Sequence, residues 1–212
     1  MTSMLIIGAT GATGRELVRR AEARGRTVTA LIRDPGDRAL FPATVPTVVG
    51  DVLDPASLRS ALDGHHEVVS ALGVRLGTPP GSVRSTGTAN LVAAMTDTGV
   101  RRLVAVSTVG VGSSRADQTR LARLLWPRLV GADRLAEAAL SEDAITSSDR
   151  DWTIVRPPRL LDGPAGAATE VGAHVRLPLS AQLTRADLAA VLLDCLADPA
   201  TIGATLTAVS RR

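Results

Sequence analysis

The stretch from residue 4 to residue 14 constrains this chain more than any other. An apolar run, Met4-Leu5-Ile6-Ile7, opens directly into Gly8-Ala9-Thr10-Gly11-Ala12-Thr13-Gly14, and Arg15-Glu16-Leu17-Val18-Arg19-Arg20 then carries helical spacing. That succession is a strand, a tight turn and the start of a helix. Glycines at G-x-x-G-x-x-G spacing let a pyrophosphate come close to the backbone, where a Cβ would block it. The free N–H groups and the positive end of the following helix attract the phosphates, with Thr10 and Thr13 as further donors. The plain alternative is a glycine-rich loop that only turns.

The rest of the chain is consistent with one α/β unit. It has 212 residues, of which 45% are apolar, enough to bury a substantial core. No apolar run approaches the ~20 residues of a membrane span. The residues before the first strand lack the regions of a signal peptide, so a cytoplasmic location is expected. Cys195 is the only cysteine and reads as a core residue of an apolar helix, and the three histidines show no metal-ligand spacing. All 24 basic residues are arginines, the chain has no lysine or tyrosine, and its net charge is only +3. The arginines are scattered and aromatics are almost absent, which argues against nucleic-acid binding. A small-molecule substrate, no membrane and a monomer or small homo-oligomer are expected.

Strand-like and helix-like patterns alternate. Strands are expected at Met4–Ile7, Thr27–Ile32, Thr47–Val49, Glu67–Ala71, Arg102–Val106, Thr153–Val155 and Ala204–Ala208. Helices are expected at Gly14–Arg24, Pro55–Leu62, Val83–Thr98, Gln118–Leu140 and Arg185–Leu196, with Pro127 kinking the fourth. Asp54-Pro55 and the Thr184…Asp187 capping box mark two helix starts. Such alternation implies a single Rossmann-fold domain over residues 1–212. Its sheet would be doubly wound and parallel, in the order 3-2-1-4-5-6-7, with helices on both faces. Substrate loops are expected at 73–86, 108–118 and 159–183, and the Gly/Ala-rich part of the last, Gly163–Gly172, reads as mobile.

The end of the second strand selects the cofactor. An NAD site usually carries an acid there, whereas this strand ends in Arg33, whose guanidinium can pair with a 2′-phosphate. NADP is therefore favoured over NAD, although the neighbouring Asp34 leaves a ribose contact open. After the third strand, Asp51 in Gly50-Asp51-Val52 is placed either to accept from an adenine amino group or simply to shape the turn before Asp54.

These segments, with Gly87–Met95 (GTANLVAAM), Asp151–Pro157 (DWTIVRP) and Arg185-Ala186-Asp187-Leu188, resemble atypical short-chain dehydrogenase/reductases. The likeness is to small NAD(P)H-binding proteins related to biliverdin-IXβ reductase/flavin reductase and to NmrA-like proteins, and it covers nearly the whole chain. It implies that Gly8, Thr10, Gly11, Ala12, Thr13 and Gly14 cradle the pyrophosphate, that Arg33 meets the 2′-phosphate, and that Asp51 and Val52 meet the adenine. Leu72 and Gly73 would pass under the ribose, Ser107 and Thr108 would face the nicotinamide, and Pro157 and Pro158 would border it.

The wider family pairs its serine with a Tyr-x-x-x-Lys dyad that handles the alcohol proton. That dyad cannot exist in a chain with no tyrosine and no lysine; by register its places fall near Leu129 and Asp133. The resemblance then points to acceptors whose reduced form takes its proton from water, where catalysis is chiefly a matter of placing a hydride donor against a planar electrophile. Ser107 remains for positioning, Arg159 as an anion clamp and His174 as a proton relay; for the last two, plain surface residues are the alternative. Arg75 and Arg84 could meet an anionic substrate or only water. His65 and His66 precede a strand, at the wrong edge for catalysis. The leading expectation is an NADPH-dependent reductase of a quinone, enone, flavin or tetrapyrrole. A redox-neutral dehydratase, epimerase or cyclase and an NmrA-like NADP-sensing regulator are the alternatives.

Overall fold

The computed structural model describes residues 3–73, 78, 79 and 81–211. Five of the strands expected from the sequence appear within a residue or so of their expected bounds: β1 (Ser3–Ile7), β2 (Thr27–Ile32), β3 (Thr47–Val49), β4 (Glu67–Ser70) and β5 (Arg102–Val106). The helices α1 (Ala12–Ala23), α2 (Pro55–Leu62) and α3 (Val83–Thr98) lie between them. After β5 come α4 (Ser114–Asp117), α5 (Arg120–Val130), α6 (Ala132–Thr146), β6 (Asp151–Arg156), β7 (Arg159–Leu161), β8 (Thr169–Gly172), β9 (Gln182–Thr184), α7 (Arg185–Ala197) and β10 (Ala204–Ser210).

The main sheet runs β3-β2-β1-β4-β5-β6-β10-β8. Its first seven strands are parallel and follow the order read from the sequence. The eighth, β8, is an antiparallel edge strand on β10. Part of the segment expected to be a mobile loop is therefore a strand, because Thr169–Gly172 satisfies its backbone on the open edge of β10. β7 and β9 pair separately as a two-stranded parallel ribbon.

Burial on both faces explains the nearly continuous apolar strands. On β1, Met4 and Ile6 pack in one core with Leu17 and Val18 of α1 and Leu188 and Leu192 of α7. Leu5 and Ile7 face the other way, into a core with Leu58 of α2, Leu91 and Met95 of α3 and Ile145 of α6. A third cluster joins Val109 and Trp126 to Val175, Leu177 and Ala181, so the 108–118 and 159–183 segments pack on each other. Backbone bonds at Leu177 stitch them further: its N–H donates to Asp117 O (3.0 Å), and its carbonyl accepts from Thr119 N (3.1 Å).

The caps behave as their chemistry requires. Asp54 accepts from Ala56 N at 2.9 Å. Thr184 Oγ1 accepts from Asp187 N at 3.0 Å and donates to Asp187 Oδ2 at 2.8 Å. The long helix expected at Gln118–Leu140 is divided, but not at Pro127, which stays inside α5. The break falls at Gly131, whose φ of 96° is open to glycine and strained for other residues. Its N–H closes α5 on Pro127 O at 2.9 Å. A proline removes one N–H from a helix, whereas this glycine reverses the backbone. Cys195 is buried in α7, and burial pushes its thiol up to about 11. Among the described residues no helix is long and apolar enough to cross a membrane.

Candidate functional site

Parallel register brings the carboxyl ends of the strands to one edge of the sheet. Ile7 is paired with Ser70, Ser70 with Ala105 and Ala105 with Ile154. The first residues beyond continue the ladder, with Ala71 N donating to Ile7 O at 2.9 Å and Ser107 N to Val155 O at 2.8 Å. Gly8, Leu72, Ser107 and Pro157 consequently stand along one crevice, where open α/β sheets bind ligands.

The three glycines of the first turn are needed for different reasons. Gly8 has φ 72°, and a Cβ there would lie 2.7 Å from Ala71 O. A Cβ on Gly14 would lie 2.2 Å from Gly8 O and 2.6 Å from Ala9 Cα, so this glycine lets α1 pack against the strand. Gly11 is exposed, has ordinary backbone angles (φ −69°, ψ 161°), and its Cβ would meet only Gly8 O, at 3.3 Å. Nothing inside the protein demands glycine at 11. α1 begins there with no side-chain cap and no acid in its first turn, leaving N–H groups free for an anion. Ala12 and Thr13 lie in that first turn, and Thr10 directs its carbonyl to Arg15 Nη1 at 2.6 Å.

Arg33 is exposed at the end of β2 and makes no hydrogen bond or ion pair among the described residues. Asp34 is occupied: its Oδ1 accepts from Gly36 N at 2.8 Å, capping the 3-10 turn Pro35–Leu40. Beyond β3, Asp51 Oδ1 accepts from Leu53 N at 2.9 Å, so this side chain does shape its turn. Val52 is buried, its carbonyl held by Asn90 Nδ2 at 3.0 Å, and Gly87 leaves room for its side chain. Leu72 is half-buried and Gly73 exposed; Arg75 lies outside the described residues.

At the other end of the crevice the structure holds a buried charge network that the sequence did not disclose. Ser107 Oγ donates to Glu142 Oε1. Arg156 clamps the same carboxylate, Nε to Oε1 at 2.8 Å and Nη2 to Oε2 at 2.6 Å, and its Nη1 reaches Ser113 Oγ at 3.0 Å. Ser107, Glu142 and Arg156 are all less than 9% exposed. Arg84 folds inward and donates to Val106 O at 2.8 Å. Burial pulls its guanidinium below the ordinary value against the opposing pull of Glu142 and Glu137. It is therefore not a purely solvated loop arginine. Thr108 Oγ1 bonds only Val109 O (3.3 Å), and Pro157 and Pro158 are buried beside it, Pro157 O accepting from Val109 N at 3.2 Å.

Two sequence candidates stand apart from this network. Arg159 is exposed at the start of β7, in register with Gln182, and has no ion pair among the described residues. His174 follows β8, is 77% exposed, and sits 3.3 Å from Asp117 Oδ1. Neither is hydrogen-bonded to Ser107. Glu142 had one sequence signal: it falls on the Ala138, Ser141, Ile145 stripe that α6 buries. Arg156 had another, since it ends a strand whose inner residues are all buried.

An open parallel sheet with an uncapped, glycine-lined helix start at its carboxyl edge defines a dinucleotide-binding Rossmann protein. The family model described as NAD(P)H-binding matches residues 8–199, and the chain belongs to that family. Among curated proteins it is 41% identical over 115 residues to a 3-diazoavenalumate denitrifying reductase of Streptomyces, covering 49% of this chain and 37% of that protein. The chain spans from 12% to 60% of the length of the first few such relatives. Among solved structures, ChuY, an anaerobillin reductase from Escherichia coli O157:H7, superposes with a TM-score of 0.84 at 22% identity, covering 99% of this chain and 97% of ChuY. A putative NAD-dependent epimerase/dehydratase from Bacillus halodurans gives 0.82 at 22%, covering 100% and 95%. These two structural likenesses show the fold.

Proposed function

We infer that the protein is an NADPH-dependent reductase of a small conjugated acceptor, of the quinone, enone, flavin or tetrapyrrole type. The observation that carries this reading is the state of Ser107. Its proton is committed to Glu142, and Arg156 holds that carboxylate in two hydrogen bonds. Reducing a simple ketone builds charge on one oxygen and needs a proton donor beside it. Ser107 is spoken for, and the sequence holds no tyrosine or lysine to take its place. A conjugated acceptor spreads that charge and takes its proton from water. The reductase name of the Streptomyces relative is consistent with this direction.

The residues present fit a nicotinamide dinucleotide. The 8–14 loop would hold the pyrophosphate at Gly11 and the first turn of α1, and Val52 would border the adenine. NADP is favoured because Arg33 is exposed and without an acidic partner among the described residues, while Asp34 is tied to Gly36. When bound, the cofactor supplies the hydride. Ser107, its hydrogen given to Glu142, keeps lone pairs to accept from an amide N–H, which orients rather than protonates. Pro157 and Pro158, both buried, border the same space as a stiff apolar wall.

The test is NADPH consumption with a naphthoquinone, an enone and free flavin, set against an unconjugated ketone. Oxidation with members of the first group and none with the ketone is expected. Binding of NADPH with no oxidation by any acceptor would turn the assignment to a redox-neutral enzyme or a nucleotide sensor.

A further inference from the structure

A cavity of about 290 Å³ lies between the 108–118 loop and the corner where α5 meets α6. Arg115, Gln118, Arg123, Trp126, Ala132 and Leu135 line it, and no acid among the described residues does. Its wall is set by aromatic packing. Trp126 is fixed by Nε1 donating to Val109 O at 2.9 Å, and a Cβ on Gly110 would stand only 2.7 Å from its ring. The bare Gly110 thus leaves the indole close to the loop backbone, with Gln118 Nε2 just beyond at 3.6 Å from the same point.

Gln118 is the informative residue. It is 6% exposed, lines the cavity, and its side-chain amide has no hydrogen-bond partner among the described residues. The amide is not shut off from water, so it is open to a ligand's hydrogen bonds. The charges beside it say which kind. Arg115 has no acidic partner among the described residues, and Arg123 spends one nitrogen on Ala116 O (3.2 Å) while keeping the others. Ala132 opens α6, a 15-residue helix whose N-cap, Gly131, offers no side-chain bond, although Asp133 stands in its first turn. A donor amide, two guanidiniums and an uncapped helix start converge on one space next to an indole.

We propose that this cavity is a binding site for the carboxylate end of a flat, conjugated ligand, its ring against Trp126 and its oxygens on Gln118 and Arg115. Calling that ligand the substrate rests on the reductase reading; the site itself does not. The reductase would then select acceptors that carry a carboxylate.

The experiment uses 2-naphthoate and its neutral counterpart 2-naphthamide. Each is titrated into the full chain carrying Trp152→Phe, so that quenching reports on Trp126. Saturable quenching by naphthoate is expected, with the amide binding about tenfold more weakly. Arg115→Gln should remove that preference and leave naphthamide affinity unchanged, and Gln118→Leu should weaken naphthoate by a similar factor. Equal affinity for acid and amide, no saturable quenching at millimolar naphthoate, or a wild-type preference in Arg115→Gln would each overturn the site. Loss of quinone turnover in the parent protein would instead count against the reductase reading, so the two failures are distinguishable.

Discussion

Removing the carboxylate of Glu142 should be among the most damaging single changes in this protein. The Arg156–Glu142 pair is enclosed, with side-chain exposures of 7% and 8%. Glu142→Ala would leave Arg156 a buried cation whose remaining contact is Ser113 Oγ at 3.0 Å, and would take the acceptor from Ser107. Breaking a buried pair from one side costs about 3–5 kcal/mol, a large part of the roughly 5–15 kcal/mol that holds a domain together. Replacing both partners, Glu142→Leu with Arg156→Met, leaves no orphaned charge and should cost less than about 2 kcal/mol. Urea unfolding followed by circular dichroism measures both, provided the slope with denaturant is unchanged. A Glu142→Ala protein within about 1 kcal/mol of wild type, or a double variant less stable than the single one, would refute the claim that this network is a mutually dependent buried unit.

Other outcomes follow from the same geometry. Arg33→Ala should weaken NADPH binding by about 1.5–3 kcal/mol and NADH binding hardly at all, read by calorimetry; equal losses would remove Arg33 from the 2′-phosphate. Ser107→Ala should lower turnover roughly 5- to 150-fold without abolishing it, the value of one positioning hydrogen bond. Arg159→Ala should raise KM at constant kcat if Arg159 clamps an anion, and His174→Ala should lower kcat if His174 relays a proton. Wild-type kinetics in either variant would leave that residue on the surface where the structure shows it. Burial holds the Cys195 thiol up to about 11, above the 9.0 of an exposed thiol. Its contribution to stability is therefore complete below pH 9 and lost as pH rises toward 11, and Cys195→Ala should flatten that part of the stability curve.

The strand order was legible because β1, β2, β4 and β5 are short apolar runs, each followed by turn chemistry and a helix at regular spacing. The strand–turn–helix at residues 8–14 was legible because glycine spacing and strand context coincide there. What escaped depends on tertiary partners. Thr169–Gly172 has a single large apolar residue, Val171, in a Gly/Ala-rich stretch, and becomes a strand only because β10 offers an open edge. Pro127 looked like the stronger helix breaker, yet the backbone reversal needed a positive φ that only Gly131 provides. Glu142 shares the helical stripe of Ala138, Ser141 and Ile145, but the stripe does not say what it meets. It is buried because α6 turns that side toward Ser107 and Arg156, which stand at the ends of neighbouring strands. Arg84, read as a loop arginine, lies in the first turn of α3 and turns inward to Val106 O.

The central claim is that the 8–14 loop presents a reduced nicotinamide to a conjugated acceptor. A single-turnover experiment tests it most directly. NADPH held by a stoichiometric excess of protein is mixed with 2-methyl-1,4-naphthoquinone and free flavin in turn, and the nicotinamide absorbance band is followed in wild type and in Gly11→Val. The variant should stay folded, since the Cβ of residue 11 would meet only one protein atom within 4 Å, Gly8 O at 3.3 Å. Rapid bleaching in wild type with at least one acceptor, and none above the uncatalysed rate in Gly11→Val, is the predicted result. Bleaching at the same rate in both proteins, or bound NADPH that no acceptor bleaches, would contradict it.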